Sequence, residues 1–155
     1  IIKVYQVTVK IGIIKYNNMK QILFLTQSHK NTMIAHSQKT VPYEACGLLG
    51  GKPGYVTSVY PGRNAQKSPV RYILDPIDQL NAMKTIELRG EEFIGIFHSH
   101  PTGKAIPSTT DIAEAYYPKV IHVIIARNNR TKWSMRGYSI VKGKVEEISL
   151  QISDL

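Results

Sequence analysis

The sequence predicts an α/β domain built on a mixed sheet. Apolar runs with strand periodicity alternate along the chain with segments that carry helix start and stop signals. The 155 residues are enough for one domain with a real core and too few for two ordinary domains. A hydrophobic content of 43% and a charged content of 20% are typical of globular proteins. Because no run reaches the roughly 18 apolar residues that a membrane span needs, no membrane partner is expected.

The first residues stand apart from the rest. Residues 7–13 alternate apolar and polar side chains, which is a strand pattern. The numbering begins at Ile1, and Met19 is a plausible natural start. We therefore treat residues 1–18 as an N-terminal extension of unknown status and residues 19–155 as a single domain.

Strand and helix signals then follow in order. Strands are predicted at 20–26, 44–50, 55–60, 71–74, 93–100, 120–126, 133–141 and 145–152, the last two as a hairpin. Helices are predicted at 28–39, between Asp75 and Gly90, and at 108–116. Asp75 is a good N-cap, Pro76 suits the first helical position, and Gly90 suits the end of the helix. Pro118 stops the short third helix.

The most informative stretch is HSHPTGKAIPSTTD, residues 98–111. His98 and His100 follow an apolar strand, where residues i and i+2 point to the same face. With Asp111 they make three ligands for a divalent metal, and three ligands leave a fourth tetrahedral position open, as in catalytic zinc sites.

Each half of this pattern also has an ordinary structural interpretation. Most single histidines are packed or surface residues, and two at i, i+2 change that expectation only modestly. Ser108-x-x-Asp111 alone is close to a capping box, the signature of a helix start. Pro101 and Gly103 lie between the two halves, where a loop must reverse. The two halves together favour the metal site.

These residues resemble the motif of the JAMM (MPN-plus, Mov34/MPN/PAD-1-like) zinc metalloproteases. The motif H-x-H, seven residues, S, two residues, D is complete, and Glu44 lies in a P-x-E-x-C-G-L-L-x-G context similar to that of small prokaryotic members. The resemblance covers about residues 20 to 150. It implies a three-layer α/β/α sandwich with a mixed β-sheet, related in architecture to the cytidine deaminases. The deaminase signature itself is absent, since the chain has one cysteine.

The resemblance also implies roles for five residues. One Zn²⁺ per chain is expected on His98, His100 and Asp111, with water as the fourth ligand. Glu44 is expected to act as general base on that water, and Ser108 to donate a hydrogen bond to the oxyanion. Ser99, on the opposite face of its strand, is interpreted as structural.

The implied substrate is the peptide or isopeptide bond after the C-terminal Gly-Gly of a ubiquitin-like or sulfur-carrier protein. Such a tail is extended and is expected to add as a strand at an exposed sheet edge. The chain is compact where eukaryotic deubiquitinating members carry two long insertions, which favours a small modifier or sulfur carrier. Two alternatives stay open: a RadC-like protein associated with DNA repair, and a non-catalytic module that binds ubiquitin-like proteins.

Charge and cysteine content limit partners and location. The net charge is +9, and residues 1–43 contain six lysines and no acidic residue. These lysines are spread out, which favours a solvated surface, so a nucleic-acid partner is not expected. A single cysteine, Cys46, fits a reducing cytoplasm and is interpreted as a small buried hydrophobic residue. His29 and His36, far from the motif, are given structural roles.

Overall fold

The structure is a computed structural model that describes residues 21–154. The predicted extension 1–18, its strand pattern and Met19 lie outside the described residues. The strands are β1 (Ile22–Thr26), β2 (Cys46–Lys52), β3 (Tyr55–Gly62), β4 (Glu92–His100), β5 (Ile121–Arg127), β6 (Trp133–Val141) and β7 (Lys144–Ser153). The helices of the described part are α1 (Gln27–Thr40), α2 (Pro76–Leu88) and α3 (Thr109–Ala113).

The seven strands of residues 21–154 belong to one mixed sheet in the order β1-β3-β2-β4-β5-β6-β7. The strand β4 lies inside this sheet, antiparallel to β2 and parallel to β5. Parallel pairing of β1 with β7 and with β3 closes the sheet. The α/β class with a mixed sheet is thus confirmed, while the three-layer packing of the helices stays a prediction.

The closed sheet bears on the expectation that an extended substrate tail adds as a strand to an exposed sheet edge. Every strand of the described part has two neighbours. The weakest junction is between β1 and β3, which pair only at Phe24 and Tyr55. A sheet edge next to the metal motif is therefore absent from the described residues, because β4 is paired along both sides.

Helix starts follow the predicted capping chemistry. The Asp75 carboxylate accepts hydrogen bonds from the backbone N–H groups of Ile77 and Asp78, as expected of an N-cap. His29 takes part in a capping box with Thr26 at the start of α1, and the His36 ring hydrogen-bonds to the Gly62 carbonyl. Both histidines thus have the structural roles that the sequence suggests.

Two predicted elements differ in the structure. Residues 71–74 do not form a strand and pair only through an isolated bridge between Asn64 and Leu74. The Asn64 side chain takes two of their backbone hydrogen bonds, with the Arg71 carbonyl and the Ile73 N–H, so that only the Ile73 carbonyl pairs with another backbone group, the Ala65 N–H. The third helix ends at Ala113 rather than 116, because residues 114–117 turn away with short-range hydrogen bonds.

The core lies on both faces of the central strands. Phe97 on β4 is fully buried with Leu49, Val123 and Ile125 beneath α1. Replacing such a side chain by alanine typically costs about 3–5 kcal/mol. On the opposite face, Leu48, Ala82 and Ile86 pack β2 against α2, and a third cluster around Ile124 supports α3. The strand that ends in the metal motif is therefore held rigidly from both sides.

None of the helices described is long and apolar enough to cross a membrane.

Candidate active site

The end of β4 delivers two histidines to one point. His98 and His100 occupy alternate positions and therefore share a face, next to Ile124 and Ala126 of β5. The His98 side chain is fully buried and His100 is 8% exposed. The apolar run that precedes them fixes this strand in the core, so the two imidazoles are presented with little freedom.

Three side chains converge with the spacing of metal ligands. The Nε2 atoms of His98 and His100 lie 3.0 Å apart. The carboxylate of Asp111 completes a triangle, with Oδ1 3.2 Å from His98 Nε2 and Oδ2 3.2 Å from His100 Nε2. Two atoms bound to one zinc at about 2.0–2.1 Å in tetrahedral geometry lie roughly 3.3 Å apart. Among the described residues, these three form the one cluster that could hold a metal ion.

Hydrogen bonds outside the triangle orient two of its members. The Nδ1 atom of His100 lies 2.7 Å from the carbonyl oxygen of Lys104, which directs Nε2 toward the cluster as an acceptor or ligand. The loop that carries Lys104 is tied down where the Tyr138 hydroxyl donates to the Ala105 carbonyl. Asp111 Oδ2 accepts the backbone N–H of Ser108 at 2.7 Å.

Ser108 is the N-cap of α3. Its Oγ accepts the backbone N–H of Asp111 at 3.1 Å, which completes a capping box. A hydroxyl that accepts one hydrogen bond keeps its own hydrogen for donation. The capping role that the sequence suggested is therefore present, and it leaves the hydroxyl able to donate to another group.

Glu44 lies beside the cluster without belonging to it. It is 3% exposed, and its Oε1 lies 3.9 Å from His100 Nε2, beyond hydrogen-bonding distance. No described protein group hydrogen-bonds to its Oε2. The residue after it, Ala45, donates its N–H to the Ser99 hydroxyl and accepts the Ser99 N–H. Ser99 thus has the structural role expected of it, since it ties the Glu44 segment to the metal-motif strand.

Burial and hydrogen bonding set the protonation of the cluster. Burial raises the pKa of Glu44 to about 8, partly offset by His100. Burial lowers the pKa of His98, which favours its neutral imidazole. Burial alone would also lower the pKa of His100, but hydrogen bonds with Asp111 and with the Lys104 carbonyl raise it. Burial alone would raise the pKa of Asp111, but hydrogen bonds with His100, His98 and Ser108 hold it well below its usual range. Two imidazoles and one carboxylate are a donor set suited to zinc, which binds histidine in its neutral form.

Three further residues around the site carry no sequence signal that marks them. The Tyr72 ring stacks on the His98 ring, with centroids 4.7 Å apart and an interplanar angle of 28°. Asn64 is buried and hydrogen-bonds the carbonyls of Glu44 and Arg71. His122 is buried on the strand beside β4. A tyrosine in an extended segment and an asparagine in a loop are common, so their approach to the site becomes visible only in three dimensions.

Cys46, as expected, is a buried free thiol whose pKa is raised by burial to about 12.

A cleft of about 330 Å³ opens beside Tyr72. Tyr72 also stacks on His98, so this one residue connects the lining of the cleft with the candidate metal cluster, whose own side chains do not line the cleft. Its walls are the segments 71–74 and 114–117, which the ion pair between Arg71 and Glu114 links. The remaining lining is mostly apolar and includes Leu48, Phe93 and Ile96.

Comparison with known proteins places this site in a family. Residues 26–137 match the family described as prokaryotic homologs of the JAB domain. The CysO-cysteine peptidase of Mycobacterium tuberculosis is 34% identical over 128 residues, covering 81% of this chain and 88% of the relative. The desampylase of Haloferax volcanii is 30% identical over 115 residues, covering 70% of this chain and 83% of the relative.

A solved structure supports the same assignment. The solution structure of protein DSY2949 from Desulfitobacterium hafniense superposes with a TM-score of 0.78 at 35% sequence identity, covering 86% of this chain and 94% of that chain. The family match, over residues 26–137, spans all five positions of the motif. The chain belongs to the small prokaryotic JAMM/MPN family.

Proposed function

We propose that the chain is a zinc-dependent peptidase that hydrolyses the bond after the C-terminal Gly-Gly of a ubiquitin-like or sulfur-carrier protein. The observation that carries the proposal is the convergence of His98, His100 and Asp111 with the Glu44 carboxylate beside them. The names of the relatives, a peptidase and a desampylase, confirm the expected class of hydrolase.

Zinc is the metal that the donor set fits best. Two imidazole nitrogens and one carboxylate oxygen at these separations match a three-ligand site with an open fourth position. One ion per chain is proposed, because the described residues supply one such cluster. When bound there, zinc would polarise the scissile carbonyl and increase the acidity of a water molecule.

Glu44 is proposed as the general base. Its carboxylate is close enough to the ligands to reach a water molecule at the open position, yet makes no hydrogen bond to any of them. Burial favours its protonated form and raises its pKa to about 8. A zinc ion bound at the neighbouring cluster would favour the ionised carboxylate, which is the form that takes a proton from water and returns it to the leaving amine.

Ser108 is proposed as the oxyanion donor. Its hydroxyl sits at the start of α3, next to the ligand Asp111, and retains a hydrogen for donation. A hydrogen bond to the negative oxygen of the tetrahedral intermediate forms fully only in the transition state, which is where it accelerates the reaction.

The substrate is proposed to lie in the cleft rather than on a sheet edge. Both sides of β4 are already paired, whereas the cleft is lined by Tyr72, which stacks on His98 of the cluster. Arg71 and Glu114, which form an ion pair, also line the cleft. Two glycines next to the scissile bond would need little room beside Tyr72, and larger apolar side chains further back would contact Phe93 and Ile96.

The test combines metal content with cleavage of defined conjugates. Purified protein should contain about one zinc per chain and should cleave a ubiquitin-like protein joined through Gly-Gly to a peptide amine, but not the same conjugate ending in Ala-Ala. Glu44→Gln is the matched control, since it keeps the ligands. Zinc binding without cleavage of any Gly-Gly conjugate would support the non-catalytic module, and DNA binding without cleavage would support the RadC-like alternative.

We also propose a cytoplasmic location, which the unpaired, buried Cys46 favours.

A further inference from the structure

The two histidines of the cluster are oriented in different ways. The second ring nitrogen of His100 hydrogen-bonds to the Lys104 carbonyl at 2.7 Å. The second ring nitrogen of His98 is buried, and no described protein group hydrogen-bonds to it. In protein metal sites that outer hydrogen bond usually fixes the orientation of the imidazole. His98 therefore needs another source of orientation.

The aromatic ring of Tyr72 lies where it can supply that orientation. It stacks on the His98 imidazole with a centroid distance of 4.7 Å and an interplanar angle of 28°. Offset stacking of aromatic rings is attractive beyond simple area burial, and it restricts rotation of the covered ring about its own bonds. Because His98 is fully buried, Tyr72 and the core together leave its ring one orientation.

Asn64 in turn holds Tyr72. Its Nδ2 donates to the carbonyl of Arg71 at 3.0 Å, and its Oδ1 accepts the N–H of Ile73 at 3.1 Å. The backbone is thus fixed on both sides of Tyr72. The same Nδ2 donates to the carbonyl of Glu44 at 3.0 Å. One buried amide therefore connects the segment that carries the stacked ring with the segment that carries the candidate base.

We propose that Tyr72 is a positioning residue for the metal ligand His98, and that its ring replaces the outer hydrogen bond that His98 lacks. The inference rests on the proposed metal site. It concerns the aromatic ring and not the hydroxyl, so it predicts different outcomes for two substitutions at one position.

The test measures metal binding rather than turnover. Tyr72→Phe keeps the ring and should retain the zinc affinity of the unchanged protein within about twofold. Tyr72→Leu removes the ring and should weaken zinc binding about tenfold or more, measured by competition with a chromophoric chelator. With Co²⁺ in place of zinc, the visible absorption bands should shift in Tyr72→Leu and not in Tyr72→Phe, because they report ligand geometry.

A matched control is available elsewhere in the fold. Phe24 and Tyr55 also stack, with centroids 4.8 Å apart, away from the cluster. Tyr55→Leu removes a comparable stacked ring and should leave zinc affinity and the cobalt spectrum unchanged. If Tyr72→Leu does not fold, Tyr72→Met replaces it, because methionine keeps more of the volume without a ring. Tyr72→Met should then show the same weaker zinc binding and the same shift of the cobalt absorption bands.

The outcomes separate this inference from the proposed function. Absence of zinc binding by the unchanged protein would overturn the metal site itself. Zinc binding that is equally tight in Tyr72→Leu, with an unchanged cobalt spectrum, would overturn the positioning role alone. Equal loss of affinity in Tyr72→Phe and Tyr72→Leu would assign the effect to the hydroxyl and would also refute the inference.

Discussion

Replacing Ser108 by alanine separates the two roles of its hydroxyl. The cap is one hydrogen bond, from the Asp111 N–H to Ser108 Oγ at 3.1 Å, on a helix of five residues. Its loss should lower the free energy of unfolding by about 1 kcal/mol, which in a domain of this size corresponds to a Tm decrease of roughly 3–5 °C. The second contact, from the Ser108 N–H to Asp111 Oδ2, uses the backbone and survives the substitution. Asp111 should therefore stay in place and the protein should keep its zinc.

The effect on turnover should be much larger than the effect on stability. If the hydroxyl donates to the oxyanion, Ser108→Ala should lower kcat by about a hundredfold or more while KM changes little. Ser108→Thr keeps both a cap and a donor and should fall between. Kinetics of a Gly-Gly conjugate, expressed per zinc-loaded protein, measure this, with Thr109→Ala as control because Thr109 is the exposed neighbouring hydroxyl. A Ser108→Ala protein with normal zinc content and normal kcat would refute the oxyanion role.

Three further predictions concern the base, a ligand and a buried histidine. Glu44→Gln should keep the zinc and lose about a hundredfold or more in kcat, because an amide cannot accept the proton of water. Near-normal turnover of this variant would show that another group acts as the general base. His98→Ala should lose most of its zinc in elemental analysis, and adding zinc should then raise its Tm far less than that of the unchanged protein; full zinc content would exclude His98 as a ligand. Burial lowers the pKa of His122 to about 4 in the folded protein, below its unfolded value near 6.5. Between these two pH values the unfolded chain binds more protons than the folded protein does. The free energy of unfolding therefore decreases as the pH falls from about 6.5 to about 4. In zinc-free protein, chemical denaturation from pH 7 to pH 4 should show the unchanged protein losing about 3 kcal/mol more than His122→Met; parallel pH profiles would contradict this.

The metal motif could be predicted because it depends on local geometry. Alternation along β4 puts His98 and His100 on one face whatever the rest of the fold does. The capping signals of α2 and the position of β4 are local in the same sense. Glu44 required the resemblance to a family, since a single glutamate 54 residues before a histidine has no spacing that marks it.

The closed sheet and the surroundings of His98 depend on contacts between distant parts of the chain. Pairing of β1 with β7 joins Ile22 to Ser149, and nothing in either segment specifies the other. The predicted strand at 71–74 shows the same limit. Its extended backbone was expected, but two of its backbone hydrogen bonds go to the side chain of Asn64, which a pattern of apolar residues does not reveal.

The capping box and the candidate metal cluster share the Asp111 carboxylate, so the two interpretations of S-x-x-D do not compete. The Ser108 N–H that satisfies the start of α3 is bonded to Asp111 Oδ2, the oxygen that also lies 3.2 Å from His100 Nε2. Formation of the first turn of α3 therefore brings the third candidate ligand to the two on β4 and fixes the orientation of its carboxylate. Because the contact from the Ser108 N–H uses the backbone, loss of the Ser108 hydroxyl leaves that orientation in place. The S-x-x-D spacing thus serves both the start of the five-residue helix α3 and the candidate metal cluster.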